Sequence, residues 1–256
     1  MLGSDPLSAV LGIGLDPHSP KSQWKVYLRQ LVSGGCALAM LGPDIRVPDA
    51  ADDHTLRALA AVSQCYPPSA PMPVDTSGKL AGASTVETDP GRVNLRVDSY
   101  YRSLAAVAKG TMKQADGEKL VRRLIEEDRC MTPTVALHVA LSNLVVVEVP
   151  DAAAMAQWHA WSAQASGDRY EQYTAPTLLD PSCRGGGLYL FRDEAGSDVA
   201  GAGFTVGGCV ITSGDVVVPV PPSVRGGVPV ARLGPCRRLP DWLRTQLRWY
   251  GNPKAA

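Results

Sequence analysis

The sequence predicts a mixed α/β (α+β) fold, helical in its first half and built around a sheet in its second, on three observations. Before residue 130, apolar residues recur at helical spacing in several segments. From residue 134 the texture changes to short apolar runs separated by turn residues, the mark of a sheet. Among those runs, Asp151 heads a helix-period stretch that it is placed to cap, so a helix lies between strands.

Taken in order, residues 22–32 predict a helix, with Trp24, Leu28 and Leu31 on one side and Gly34-Gly35 as the stop. The apolar run 36–41 reads as a buried strand. Residues 52–64 predict a second helix with Leu56, Leu59, Ala60 and Val62 as its apolar side. The Pro-, Ser- and Gly-rich stretch 65–84 reads as a surface loop or internal linker. Two helices follow at 99–108 and 117–127, the first amphipathic and the second with a charged outer face. Strands are predicted at 134–140 and 144–149 around Ser142-Asn143, since Val145-Val146-Val147 is too β-branched for a helix. After the helix that Asp151 opens, which ends near Gly167, strands are predicted at 188–191, 204–211 and 216–220, then a closing helix at 240–249. The expected organisation is an extension (1–21), an N-terminal part (22–130), a sheet part (131–250) and a tail (251–256), in one unit with a split core.

Composition narrows the classes. The 256 residues are 45% apolar and 20% charged, as in an ordinary globular protein, with no run of about 18 apolar residues to span a membrane. The first twenty residues carry an early acid, lack a basic leader and are broken by Pro17 and Pro20, so no secretory signal is read there and a cytoplasmic location is expected. Six scattered cysteines without a C-x-x-C pair read as reduced, buried thiols rather than a zinc site. Net charge is zero, yet Arg225, Arg232, Arg237, Arg238, Arg244, Arg248 and Lys254 crowd the end of the chain against a single Asp241. With Trp242 and Trp249 interleaved, that end reads either as a phosphate-facing surface or as a solvated basic face whose tryptophans anchor a helix.

Four stretches then follow one another in a recognisable order. They are Asn143-Leu-Val-Val-Val-Glu148-Val-Pro150-Asp151; Ala175-Pro-Thr177 with Arg184-Gly-Gly-Gly-Leu188-Tyr-Leu-Phe191; Ser213-Gly-Asp215-Val-Val-Val-Pro-Val-Pro221-Pro222-Ser223-Val-Arg225-Gly-Gly; and Leu239-Pro240-Asp241-Trp242-Leu243. They resemble, in turn, the Asp-x-Asp strand, the Gly-Gly-x-His-x-Tyr-Phe strand, the Val-Val-x-Pro-Pro-Ser segment with its glycine turn, and the closing Pro-x-Trp-Leu of the archaeo-eukaryotic primase superfamily. The nearest likeness is to the bifunctional primase-polymerase (prim-pol) domains of actinobacterial phages and mobile elements. Residues 34–48, Thr88-Asp89-Pro90 and Tyr100-Tyr101-Arg102 add a weaker match.

The resemblance implies a mixed, RRM-like central sheet flanked by helices, with the segments around Val147, Leu188 and Val218 as neighbours in it. It also implies a role in phage or mobile-element DNA replication. The partners would be single-stranded DNA or primer-template and dNTP or NTP, with any replicative helicase a separate protein. Nucleotidyl transfer in that family uses two divalent ions, Mg²⁺ or Mn²⁺, held by carboxylates from at least two strands. At the matched positions the first acid is Glu148, the second is replaced by Pro150, the third by Val210 and the triphosphate-contacting histidine by Leu188. The simplest expectation is loss of two-metal catalysis with binding retained.

An alternative keeps catalysis by relocating carboxylates, with Glu148, Asp151 and Asp215 as catalytic residues and Glu148 and Asp151 on the metal. Against it, Asp151 also reads as a helix cap and Asp215 as a turn residue. Nucleotide or nucleic-acid contacts are expected from Arg184, Gly186, Gly187, Arg192, Ser223, Arg225, Arg237 and Arg238. The glycines read equally as a turn or bulge before an apolar strand. A third reading makes the chain a non-catalytic replisome or host-factor interaction protein.

Overall fold

A computed structural model describes residues 6–68, 70–72, 85–109, 114–167, 175–194 and 198–251. Helix α1 (Pro6–Leu11) begins with the proline that suits a first helical position and buries Leu7 and Leu11. α2 (Lys21–Ser33) buries Trp24, Leu28 and Leu31, as their spacing predicts, and stops at Gly34 and Gly35, the latter with φ of 79°. The strand expected at 36–41 is β1 (Leu38–Ile45), longer at its far end. α3 (Asp53–Cys65) is capped by the Asp52 carboxylate, which accepts from the Thr55 amide at 2.6 Å. Most of the predicted loop 65–84 lies outside the described residues.

After β2 (Val86–Glu87) and a 3₁₀ turn at Pro90–Arg92, α4 (Val93–Ala108) starts six residues before its predicted start at 99. Val93 and Val97 extend the buried face of Tyr100 and Leu104 backwards by two turns. α5 (Gln114–Arg122) passes into a π-helical turn, Arg123–Glu127. β3 (Met131–His138) and β4 (Leu144–Val149) flank a 3₁₀ turn that ends on left-handed Asn143, φ 50°. α6 (Ala152–Ser166) has Asp151 as its N-cap, the carboxylate accepting from the Ala154 amide at 2.8 Å.

The strands β5 (Leu178–Leu179) and β6 (Gly187–Arg192) come next. The single strand expected at 204–211 is instead a hairpin, β7 (Gly203–Val206) and β8 (Cys209–Thr212). Gly207 and Gly208, with φ of 54° and 82°, make the two-residue turn that matches strand twist. Then come β9 (Val217–Pro219), β10 (Val224–Arg225), β11 (Val228–Pro229), β12 (Ala231–Arg232), β13 (Arg237–Arg238) and α7 (Asp241–Tyr250).

The chain divides into two compact units. One comprises Ile13–Ala136 and Pro219–Pro229. There α4 lies against α2, α3 and α5, and Trp24, Leu28, Met40, Val97, Tyr100 and Met131 are buried. The four-stranded sheet of order β2-β1-β3-β9 belongs largely to this unit.

The other unit comprises Met1–Gly12, Leu137–Val218 and Val230–Ala256. Its sheet runs β12-β5-β6-β4-β8-β7, with β13 added in parallel beside β6. One face, with Val145, Val147, Val149, Tyr189, Phe191, Cys209 and Ile211, packs on Trp158 of α6 and on Leu243 and Leu247 of α7. Full burial of a side chain of this size contributes about 1.5–3 kcal/mol, so this face fixes which side of each strand is free to act.

One expected neighbour is corrected. The segment around Val218 is β9, which belongs to the sheet of β1 and β3 and does not lie beside Val147 and Leu188. β4 has no edge to offer it, since β6 takes one side and β8 the other.

Candidate functional site

Alternation along β4 decides the site. Val145, Val147 and Val149 enter the helix-covered core, so Glu148 must leave the opposite face, where it is exposed. In register, Glu148 stands opposite Leu188 of β6 on one side and Val210 of β8 on the other, and Val210 faces Thr205 of β7. Directly opposed residues bring their Cβ atoms to about 4.5–5.5 Å. A single cross-strand row therefore reads Leu188, Glu148, Val210, Thr205. Leu188 is 5% exposed, Val210 42%. The positions equated with the family's first acid, histidine and third acid thus fall side by side on three adjacent strands.

The chemistry of that row is an isolated carboxylate between two hydrocarbon side chains. Pro150, two residues beyond Glu148 on the same face of the strand path, brings no side-chain donor. Among the described residues, no three of His, Cys, Asp and Glu gather where an ion could be held. The donor set at these positions does not fit a pair of divalent ions.

The two carboxylates named as replacements are engaged elsewhere. Asp151 caps α6, and its backbone bridges to Arg184. Its charge also lies close enough to Cys209 to add to burial, which pushes that thiol up to about 11. Asp215 follows β8 and lies 2.5 Å from Nε2 of His138, whose Nδ1 accepts from the Leu141 amide at 3.3 Å. With Nδ1 accepting, Nε2 carries the proton and donates to Asp215. His138 went unread in the sequence because nothing along the chain links it to Asp215; only the fold joins them.

Gly186 and Gly187 owe their identity to packing. A Cβ on Gly186 would sit 1.8 Å from the Val149 carbonyl oxygen, and one on Gly187 would meet the Leu178 carbonyl and the Pro176 ring at 2.8 Å. Backbone approach here is to neighbouring segments of the sheet. Ser223 is fully buried, and its hydroxyl both accepts from the Val135 amide at 2.7 Å and donates to the Val135 carbonyl at 3.0 Å. That side chain closes a backbone gap and is not open to a ligand.

The arginines differ in exposure and in what they hold. Arg192 donates to the Ser142 carbonyl at 2.9 Å, and Arg237 to those of Ala175 and Pro235 at 3.0 and 3.3 Å. Arg225 is half-buried on the β10 strand, while Arg184 and Arg238 are exposed. Arg238 sits 3.4 Å from Glu194 in a solvated pair. Arg244 is buried and holds Asp193 at 2.6 Å and Asp198 at 3.0 Å, and Arg248 completes the cluster on Asp198. Arg244 and Arg248, two of the basic residues counted at the end of the sequence, are thus paired with acids that precede them by some fifty positions. Trp242 packs against Trp158 and Trp161, with ring centroids 6.1 and 5.2 Å apart, as an anchor for α7; Trp249 is 78% exposed.

No family model, curated protein or solved structure matches the chain. No helix among the described residues is long and apolar enough to cross a membrane.

Proposed function

We propose that this chain is a primase-polymerase-like protein of phage or mobile-element DNA replication that binds single-stranded nucleic acid or nucleotides, with nucleotidyl transfer weak or lost. The observation that supports this most is the row Leu188, Glu148, Val210. Three positions equated through the resemblance with the family's first acid, histidine and third acid occupy three adjacent, in-register places on one sheet face, while the Pro-Pro-Ser segment around Val218 joins the other sheet. An arbitrary set of apolar runs has no reason to align so. The side chains in that row supply one carboxylate where the chemistry needs several, so binding survives as the function.

Beside it Gly203, Thr205 and Val210 are exposed, and Arg184 is exposed near the end of β4. A nucleotide strand would lie over this surface with a phosphate toward Arg184 and with Glu148 as an unfavourable like charge. Removing one such charge is worth up to about 1 kcal/mol in water, or roughly fivefold in affinity.

The test is fluorescence anisotropy with a labelled oligodeoxynucleotide across a salt series, in buffer free of divalent ions. Binding is expected at low salt with a shallow slope, about one or two phosphates' worth, to weaken in Arg184→Ala and to tighten up to about fivefold in Glu148→Gln. No binding at the lowest salt would end this reading. A polymerisation assay with Mg²⁺ and Mn²⁺ runs beside it: template-dependent incorporation that Glu148→Gln abolishes would establish an active enzyme instead.

A further inference from the structure

The β10–β11 hairpin turns through Gly226 and Gly227, both with positive φ, 57° and 79°. In a two-residue turn of this kind the two glycine amides are not used by the strand ladder. Here both are occupied by one side chain. The Gly226 amide donates to Oδ1 of Asp44 at 3.0 Å and the Gly227 amide to Oδ2 at 3.1 Å. Each amide meets a different oxygen of the same anion, the two-point contact that a phosphate also offers. Both hydrogen bonds are solvent-exposed, so water and solutes reach the place that Asp44 fills.

The carboxylate is not needed to form the turn. Gly207-Gly208 adopts the same pair of positive φ values, 54° and 82°, between β7 and β8. Among the described residues no side chain hydrogen-bonds to those two amides. The β10–β11 turn therefore has an anion on its amides for a reason beyond turn geometry. Arg225, half-buried, immediately precedes it.

We infer that the Gly226-Gly227 turn is an oxyanion-binding site for a phosphate group, and that Asp44 is its built-in competitor, occupying it until a phosphate displaces the carboxylate. Such a competitor sets a threshold: only a ligand bearing more charge than a carboxylate, or delivered at high local concentration by a bound strand, takes the site. This holds whether or not the chain binds DNA through its β4 face.

The experiment is an amide-resolved NMR titration of the full chain labelled with ¹⁵N-glycine, as wild type, Asp44→Asn and Asp44→Ala, with sodium pyrophosphate as the probe. Saturable shifts confined to the Gly226 and Gly227 amides are expected, at least about tenfold tighter in Asp44→Ala than in wild type, with Asp44→Asn between them. If those two amides in a folded Asp44→Ala protein stay still, the inference is overturned. It is overturned equally if both variants lose the dispersed hairpin resonances while the rest of the spectrum persists, since Asp44 is then a structural staple. A second arm replaces pyrophosphate with an oligodeoxynucleotide. The same two shifts identify the nucleic-acid backbone as the phosphate source; shifts with pyrophosphate alone identify a free phosphate compound and leave this site standing, while the DNA reading of the β4 face is decided by the anisotropy titration.

Discussion

At the scale of single residues, small side chains here hold backbone in place where motif reading gave them ligands. Gly186→Ala would thrust a methyl into the Val149 carbonyl, 1.8 Å away, with no flexible side chain to yield. Overpacking of this kind costs about 1–3 kcal/mol and often more against backbone. A drop of that size in the denaturant midpoint, without a separate change in nucleotide affinity per folded molecule, is expected. Ser223→Ala leaves the buried Val135 amide without its partner. The loss should be about 1–3 kcal/mol, the cost of an unsatisfied buried donor, and urea unfolding would measure it. Threonine at 223 keeps the hydroxyl but adds a methyl to a side chain with no exposure, so it should rescue little. Neither result was readable in advance, because Gly-Gly-Gly and Pro-Pro-Ser look the same along a chain whether their neighbour is a phosphate or a strand.

Among elements, α7 shows how a basic surface disappears on folding. Arg244 lies between Asp193 and Asp198 with its side chain 9% exposed, while Arg248, 54% exposed, reaches only Asp198. Truncating Arg244 removes the cation paired with the buried Asp193 carboxylate and should cost about 3–5 kcal/mol; Arg248→Ala should cost under about 1 kcal/mol. Thermal melts of the two variants check the ordering. The Arg248 guanidinium, with Arg244 beside it, holds the Asp198 carboxyl below its ordinary value, although partial burial opposes this. A depressed folded pKa stabilises above the unfolded one, so the advantage of wild type over Asp198→Asn should be complete at neutral pH. It should fade as pH falls below about 4. Helices α2, α3, α6 and α7 were legible because periodicity, caps and stops all act within a few residues. The β7–β8 hairpin was legible in principle, from Gly207-Gly208 between two β-branched runs, but the apolar run masked its own turn. The position of β9 was not, since which sheet a short buried strand joins depends on which edges are already taken.

Across the whole molecule, the site was half legible. The order of motifs led to Glu148, Leu188 and Val210, and strand register then put them in one row; the engagement of Asp151, Asp215 and the C-terminal arginines emerged only from packing between distant segments. The row makes a prediction that neither sequence nor strand order makes alone. If its geometry is that of a metal-binding face with the ligands replaced, restoring one ligand should restore affinity for a cation. Val210→Asp sets a carboxylate directly opposite Glu148 on the adjacent strand, at an exposed position that tolerates charge. Like charges facing each other across strands destabilise by up to about 1 kcal/mol, so without metal the variant should melt slightly lower than wild type. Mn²⁺ should bridge the two carboxylates and reverse the sign, with stabilisation growing as RT ln(1 + [Mn²⁺]/Kd), about 2.7 kcal/mol at a hundred times Kd. Wild type, with a lone glutamate between hydrocarbon neighbours, should show no comparable rise. Adding Leu188→His to Val210→Asp places an imidazole on the other flank of Glu148 and should tighten the ion further. Melting curves with and without Mn²⁺ decide the matter: identical metal responses in wild type and both variants would mean that the row has the right order but not the geometry of a cation site, and the kinship drawn from it would fall.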